Sequence, residues 1–194
     1  MKVISGKLRG HLVTKSSIGP NVRPTSEKVR GAIFSSVNSF ISLESVRILD
    51  LYAGTGAMGI EGISRGAEYA CFVETDRNTF LSLQENLNRL GIYSVTKSVC
   101  RSAEKFIALG NADRPKYGLV IIDPPYAKHP GVKILELLKE NEFLEDGAII
   151  VVESGAKFDM SNQAVEFSLL RNKVYGDTSV WIYRYELSVT SELD

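Results

Sequence analysis

The feature that most constrains the fold is a regular alternation of apolar runs and helical patterns between residues 46 and 153. Each apolar run has the length of a strand, and loops and stretches with helical periodicity separate the runs. Runs that lack a polar face are typical of strands buried on both sides, with helices covering both faces of the sheet. The alternation therefore predicts an α/β fold with a doubly wound parallel sheet and right-handed crossovers. The predicted strands cover residues 46–51, 69–74, 95–99, 117–122 and 147–153.

The last part of the chain departs from this alternation. Residues 164–175 and 178–187 are strand-like and are separated by Gly176-Asp177, a dipeptide typical of tight turns. Two strands joined by so short a turn pair in the antiparallel direction. The predicted sheet is therefore Rossmann-like, seven-stranded and mostly parallel, with an antiparallel hairpin at its C-terminal end.

A second, smaller β-hairpin is predicted at the N-terminus. Residues 3–4 and 12–13 are apolar and flank a glycine-bounded turn. We therefore divide the chain into an N-terminal hairpin and loop extension, residues 1–24, and one α/β domain, residues 25–194.

The net charge of zero conceals an uneven distribution of charge. Residues 1–34 contain seven lysines and arginines against Glu27 alone, a net charge of +6, and the remaining residues carry −6. A basic arm on an acidic body indicates an anionic partner for the arm. A lysine-rich surface that serves only solubility is the alternative on charge alone.

Apolar segments give no indication of a membrane protein or a secreted protein. The longest aliphatic run, residues 148–152, is far too short to span a bilayer. The first residues lack the apolar stretch of a signal peptide. We expect a cytoplasmic monomer. Cys71 and Cys100 lie in or at the end of apolar runs, so we expect both to be reduced and at least partly buried. They are not spaced as metal ligands, and no metal is expected.

A glycine loop closes the first predicted strand and opens a helix. Gly54 and Gly56 allow a tight turn and a close approach of the backbone to a ligand. Glu74 ends the second predicted strand, 20 residues after Gly54. A carboxylate at that position can accept hydrogen bonds from both hydroxyls of a ribose. The loop and the acid together predict a nucleoside-containing cofactor.

Two cofactor classes fit this loop. Gly54, Gly56 and Gly59 match the dinucleotide fingerprint, and Glu74 has the matching spacing, so an NAD-dependent oxidoreductase is one interpretation. Asp50 lies immediately before the loop, where a pyrophosphate would meet a negative charge. This acid suits the ammonium group of an amino-acid-bearing cofactor such as S-adenosylmethionine.

Asp123-Pro124-Pro125-Tyr126 follows the fourth predicted strand. Neither proline can donate to a β-ladder, so the strand must end here and continue as a rigid, extended loop. Asp123 is thereby placed at the carboxyl end of a central strand, where open α/β sheets bind their ligands. A carboxylate, main-chain carbonyls and an aromatic face can together bind a planar ring that carries an amine.

Several stretches spread over nearly the whole chain are similar to a known family; they are residues 4–10, 23–25, 49–56, 65–67, 123–126 and 175–178, together with Glu74. On these stretches the chain resembles class I S-adenosylmethionine-dependent methyltransferases that act on amino groups. It resembles more closely the bacterial 16S rRNA (guanine-N2)-methyltransferases of the RsmD type. The sequence after the fourth strand is fairly specific for amine methylation, and the N-terminal stretches narrow the resemblance to this family.

The resemblance implies roles for the residues of both loops. Asp123 and the carbonyl of Pro124 accept hydrogen bonds from the target amine, and Tyr126 stacks on the base. The cofactor S-adenosyl-L-methionine is bound by four residues of the first two strands and the glycine loop: Asp50, Gly54, Gly56 and Glu74. The implied substrate is guanine N2 in 16S rRNA of the small ribosomal subunit.

Two further sets of residues follow from the resemblance. Family members often have an acid or asparagine after the third strand to bind the adenine amine. This chain has Cys100-Arg101-Ser102-Ala103 there, so Ser102 or backbone groups near Ala103 are the predicted adenine ligands. Lys7, Arg9 and Arg23 are the predicted phosphate contacts of the RNA-binding arm.

Three other functions stay open at this level. An adenine-N6 DNA methyltransferase shares the Asp-Pro-Pro-Tyr loop, although the chain has no segment long enough for a separate target-recognition region. An NAD-dependent oxidoreductase shares the glycine loop. An RNA-binding module that retains the fold without catalysis is the third, and only an activity measurement separates it from an enzyme.

Overall fold

The structure is a computed structural model and describes residues 1–14, 26–110, 115–125, 131–160 and 166–187. Two predicted site residues, Arg23 and Tyr126, lie outside the described residues. Their roles stay predictions from the sequence.

The described residues contain seven strands: β1 (Arg47–Leu51), β2 (Tyr69–Glu74), β3 (Thr96–Cys100), β4 (Tyr117–Ile122), β5 (Leu144–Gly155), β6 (Phe167–Tyr175) and β7 (Thr178–Tyr185). They form one sheet in the order β3-β2-β1-β4-β5-β7-β6. The first five strands pair in parallel, and β7 pairs antiparallel with both β5 and β6. The predicted Rossmann-like α/β fold with a C-terminal antiparallel hairpin is confirmed.

The strand order reverses between β1 and β4, which lie side by side with Leu51 opposite Ile122. Connections from these two strands leave toward opposite faces of a doubly wound sheet and open a crevice at the carboxyl ends. The glycine loop leaves β1 at this point, and the Asp123-Pro124-Pro125 loop leaves β4. The fold therefore places the two predicted site loops next to each other.

Helices cover both faces of the sheet: α1 (Glu27–Val37), α2 (Ala57–Ser64), α3 (Arg77–Arg89), α4 (Ala103–Ile107) and α5 (Gly131–Glu140). Alternate residues of β1 enter different hydrophobic clusters, Ile48 with Phe72 and Leu49 with Val120. These central strands are buried on both sides, which is the reason for their uninterrupted apolar runs. Where the chain is described, no helix combines the length and apolar character needed to cross a membrane.

Two of the differences from the sequence prediction concern the start of β5 and the burial of Cys100. β5 begins at Leu144 rather than at residue 147, because Leu144 pairs with Tyr117 before the ladder resumes at Ile149. The expectation that Cys100 is partly buried is wrong, since Cys100 is exposed. It is the last residue of β3, a strand at the edge of the sheet with little burial. Cys71 is buried in β2 as expected, and both cysteines are free thiols.

The N-terminal hairpin forms as predicted. The backbone N–H of Val3 donates to the carbonyl of His11 at 2.9 Å, and the N–H of Val13 donates to the carbonyl of Met1 at 2.8 Å. The side chains of Val3 and Val13 are buried in the same cluster as Ile33 of α1. The hairpin thus packs onto the main core, and the predicted boundary between residues 24 and 25 falls outside the described residues.

Candidate active site

The glycine loop after β1 uses its two glycines for different purposes. Gly54 and Gly56 both have left-handed φ, +57° and +88°. A Cβ on Gly56 would lie 2.5 Å from the Cδ1 of Leu83 in α3, whereas a Cβ on Gly54 would meet nothing within 4 Å. Gly56 therefore permits close helix packing. Gly54 faces open space, as a residue that lets a ligand approach the backbone should.

Glu74 fixes this loop through its carboxylate. One oxygen accepts the N–H of Gly54 at 2.8 Å, and the other accepts the N–H of Asp76 at 2.7 Å. The side chain is partly exposed, and each carboxylate oxygen has a second lone pair that can accept a further hydrogen bond. A ligand with two neighbouring hydroxyls could donate to both oxygens.

Asp50 is the most buried acid of the site, with 2% of its surface exposed. Its Oδ2 accepts the N–H of Gly59 at 2.9 Å, in the first turn of α2. Gly59 lies so close to β2 that a Cβ would be 2.3 Å from the ring of Phe72. Burial raises the pKa of Asp50 to about 7; the charges of Asp123 and Glu74 add to this, and the Gly59 N–H opposes it.

Three carboxylates thus converge on the carboxyl edge of the sheet, from β1, from β2 and from the loop after β4. Asp123 is partly buried, and its charge acts on Asp50, as does the charge of Glu74. Mutual repulsion makes this site favourable for a cationic ligand. S-adenosylmethionine, with its ammonium and sulfonium groups and its ribose hydroxyls, fits this set of acceptors.

A cavity of about 170 Å³ lies beside the acids, and its walls come from the ends of β1 to β4: Tyr52, Val73, Thr75, Arg101, Ser102, Ala103, Glu104, Pro124 and Pro125. Val73, Ala103 and Pro124 are buried and give it apolar surface. Apolar walls with a few polar groups are typical of sites for planar ring systems.

The predicted adenine residues, Ser102 and Ala103, both line this cavity. The Oγ of Ser102 accepts the N–H of Lys105 at 3.4 Å and so serves as the N-terminal cap of α4. Sequence reasoning missed Tyr52 and Glu104, which line the same cavity. Tyr52 has a left-handed φ of +64°, unusual for a bulky residue. The local sequence gives no indication that Tyr52 adopts this backbone conformation.

Asn86 of α3 is a second residue that the sequence did not single out. It is fully buried, and its Nδ2 donates to the carbonyls of Thr14 at 3.0 Å and Thr55 at 3.1 Å. Its Oδ1 accepts the N–H of Thr14 at 3.1 Å. One side chain therefore links the end of the N-terminal hairpin to the middle of the glycine loop.

The N-terminal hairpin also contacts α2, in the half of that helix that is remote from the glycine loop. Backbone N–H groups of Ile4 and Ser5 donate to the carboxylate of Glu61 at 2.8 and 3.1 Å. Glu61 is fully buried and forms an ion pair with Arg65 at 2.8 Å. A buried carboxylate needs hydrogen-bond donors and a cation as partners. The N–H groups of Ile4 and Ser5 are among the partners of Glu61, so they hold the hairpin in one position on α2.

Lys7 and Arg9 are exposed at this turn, and the structure does not bring them to the crevice. The N–H of Lys7 donates at 2.7 Å to the carbonyl of Ser64, the last residue of α2. The glycine loop lies at the other end of this eight-residue helix, about 12 Å away at the helical rise per residue. Phosphate contacts at Lys7 and Arg9 would therefore be remote from the target base.

Replacement of Gly6 by alanine is expected to destabilise the protein more than the same replacement at Gly10. Both glycines have left-handed φ, +84° and +85°, so each alanine costs about 1–2 kcal/mol of backbone strain. A Cβ on Gly6 would additionally lie 1.7 Å from the carbonyl oxygen of Ser64, whereas one on Gly10 meets nothing within 4 Å.

The measurement is the thermal midpoint of each variant, which falls by roughly 2–4 °C per kcal/mol in a chain of this size. Gly10→Ala is the matched control for the strain. Equal shifts in the two variants would show that the hairpin turn is not seated on Ser64.

The doubly wound sheet, with its glycine loop after β1, acid at the end of β2 and Asp-Pro-Pro loop after β4, has the arrangement that the resemblance to class I methyltransferases implies. The chain belongs to the family described as "Conserved hypothetical protein 95", whose model matches residues 1–184. This family, the RsmD family, is S-adenosylmethionine-dependent, so the predicted family and cofactor are both confirmed.

Named relatives agree with this assignment. The chain is 30% identical to "Putative rRNA methyltransferase YlbH" of Bacillus subtilis over 95% of this chain and 98% of that protein. It is 30% identical to "Ribosomal RNA small subunit methyltransferase D" of Escherichia coli over 100% of this chain and 94% of that protein. A solved structure, "Putative methyltransferase yhhF" from Escherichia coli, superposes with a TM-score of 0.85 at 30% identity, covering 96% of this chain and 98% of that one.

Proposed function

We propose that this protein transfers a methyl group from S-adenosylmethionine to the exocyclic N2 amine of a guanine in 16S rRNA of the small ribosomal subunit. The observation that supports it most directly is the position of Asp123 and Pro124 at the switch point, beside the acids that suit the cofactor. The family and the names of the relatives support rRNA as the class of substrate.

The difficulty of the reaction lies in the nucleophile. The lone pair of an exocyclic amine is delocalised into the base, so the nitrogen must be turned before it can attack. Asp123 and the carbonyl of Pro124 can each accept one N–H, which would direct the lone pair away from both. When bound, S-adenosylmethionine supplies an electrophilic methyl carbon on a sulfonium.

Asp123 also contributes to the rate through its charge. The amine nitrogen gains positive charge during attack, so a hydrogen bond to a carboxylate strengthens toward the transition state. The burial of Pro124 places its backbone at a fixed position beside that carboxylate. We assign Asp50, Gly54 and Glu74 to the cofactor, and Tyr126 to stacking on the base. Gly56, predicted as a cofactor residue, supports this site by letting the loop pack against Leu83 of α3.

RNA binding is assigned to the basic N-terminal region. Lys7 and Arg9 are exposed on a hairpin that is fixed to α2. Arg23 lies outside the described residues, so its part in RNA binding stays a prediction from the sequence. Lys7 and Arg9 would contact phosphates near the end of α2 that is remote from the glycine loop.

Incorporation of labelled methyl groups tests the substrate class. We expect the purified protein to label small ribosomal subunits that lack its modification, with binding that weakens steeply as salt rises. Duplex DNA of mixed sequence is the comparison substrate. Labelling of DNA with none in ribosomal particles would contradict the proposal and favour an adenine-N6 DNA methyltransferase.

A further inference from the structure

The cavity beside Glu74 is where a purine attached to a ribose would lie. Its walls include Val73 and Thr75, the two neighbours of Glu74 in the chain. A ribose whose hydroxyls bind the Glu74 carboxylate therefore directs its base toward this cavity. This step rests on the proposed placement of the cofactor at this edge of the sheet.

An adenine in this cavity needs an acceptor for its exocyclic amine. Among the side chains of the described residues that line the cavity, three offer a hydroxyl group and one, Glu104, offers a carboxylate. The predicted ligand Ser102 already accepts the N–H of Lys105 in capping α4. Hydrogen bonds to a charged acceptor are stronger than those to a neutral one, which favours Glu104 over the hydroxyls.

Tyr52 contacts this carboxylate from the glycine loop. Its hydroxyl lies 3.5 Å from the Oε1 of Glu104, across a sequence separation of 52 residues. Burial raises the pKa of Tyr52, so its hydroxyl remains a donor at neutral pH. The left-handed backbone of Tyr52 is a strained conformation of the kind that clusters at ligand sites.

We propose that Glu104 accepts the hydrogen bond of the adenine amine and that the Tyr52 hydroxyl orients its carboxylate for this purpose. Glu104 is then the specificity-determining residue for the base of the cofactor. Ser102, at the position where the family has its acid or asparagine, is confined to capping α4.

Calorimetric titration with two ligands tests the assignment without any measurement of activity. The ligands are S-adenosylhomocysteine and S-inosylhomocysteine, which carries an oxygen in place of the amine at C6. We expect the wild type to prefer the adenosyl ligand by about 10- to 150-fold, the range of a hydrogen bond to a charged group. Glu104→Gln should reduce this preference to about threefold or less, because the amide can donate to the oxygen.

Two further variants separate this role from a structural one. Tyr52→Phe keeps the ring and should reduce the preference by a smaller factor, about 2- to 12-fold. Ser102→Ala removes the cap of α4 and should lower the thermal midpoint, but the preference for the adenosyl ligand should persist. Because the side chain of Glu104 is partly exposed, we expect the Glu104→Gln variant to fold. Thermal melts of each variant check this.

An equal loss of affinity for both ligands in Glu104→Gln, or a lost preference in Ser102→Ala instead, would overturn the assignment. Failure of the wild type to bind S-adenosylhomocysteine would overturn the cofactor placement itself.

Discussion

Replacing Asp123 by alanine should lower the rate of methyl transfer about 10- to 150-fold, the value of one hydrogen bond to a charged group. The loss should appear in single-turnover measurements on saturated enzyme, because the bond to the amine strengthens in the transition state. Affinity for S-adenosylhomocysteine should change by only about threefold or less. The reason is that we assign the ribose of this ligand to Glu74 and its ammonium to Asp50, and neither group to Asp123.

Asp123→Asn is the matched variant. It keeps the shape of the side chain and one acceptor oxygen but removes the charge, so its rate should lie between those of the wild type and the alanine variant. An unchanged rate in Asp123→Ala would remove Asp123 from the reaction. Equal losses in rate and in cofactor affinity would instead make it a residue of the cofactor site.

Replacing Asp50 by asparagine should weaken cofactor binding and at the same time stabilise the free protein. Burial raises the pKa of Asp50 from 3.8 to about 7. A raised pKa in the folded state means that the stabilising contribution of this group is complete below pH 3.8 and is lost as pH rises through about 7. At pH 8 the free protein therefore contains a buried carboxylate that asparagine would replace by a neutral group of the same shape.

The size of this stabilisation follows from the shift in pKa. Each unit of pKa shift corresponds to about 1.4 kcal/mol, so Asp50→Asn can raise the free energy of unfolding at pH 8 by at most about 4 kcal/mol. The Oδ1 of an asparagine can still accept the N–H of Gly59, so the local structure should persist. Thermal melts should show Asp50→Asn above the wild type at pH 8, with the difference vanishing near pH 4. A lower midpoint at every pH would contradict the burial of an ionised Asp50.

Cofactor binding should respond to pH in the opposite sense. The ammonium of the ligand favours ionised Asp50, so affinity for S-adenosylhomocysteine in the wild type should rise between pH 6 and pH 8, by up to about tenfold per unit below the pKa. Asp50→Asn should bind at least about tenfold more weakly at pH 8 and lose this pH dependence. A wild-type affinity that is flat over this range would show that the ligand does not meet Asp50.

Sequence patterns predicted the sheet because its central strands are buried on both faces. The alternation of apolar runs and helical patterns predicts strands at residues 69–74 and 117–122, and these residues coincide with β2 and β4. The start of β5 was not predictable in this way. Leu144-Glu145-Asp146 is mixed in polarity, and it is extended only because Leu144 pairs with Tyr117.

The candidate site was predictable where its residues lie at or just after the carboxyl ends of strands. Asp50, Glu74 and Asp123 are adjacent because parallel strands bring their carboxyl ends to one edge. Contacts that join distant parts of the chain have no comparable signal. Nothing in the local sequence indicates that Asn86 bonds to both Thr14 and Thr55.

The identity of the methylated nucleoside tests the central claim most directly, namely that this site turns an exocyclic amine toward the cofactor. Small ribosomal subunits from cells that lack the protein would be methylated with the purified enzyme, digested to nucleosides and analysed by mass spectrometry. We predict N2-methylguanosine as the product. A ribose 2′-O-methyl group, or a methyl group on a base carbon, would contradict the role of Asp123 and Pro124 as acceptors for an amine.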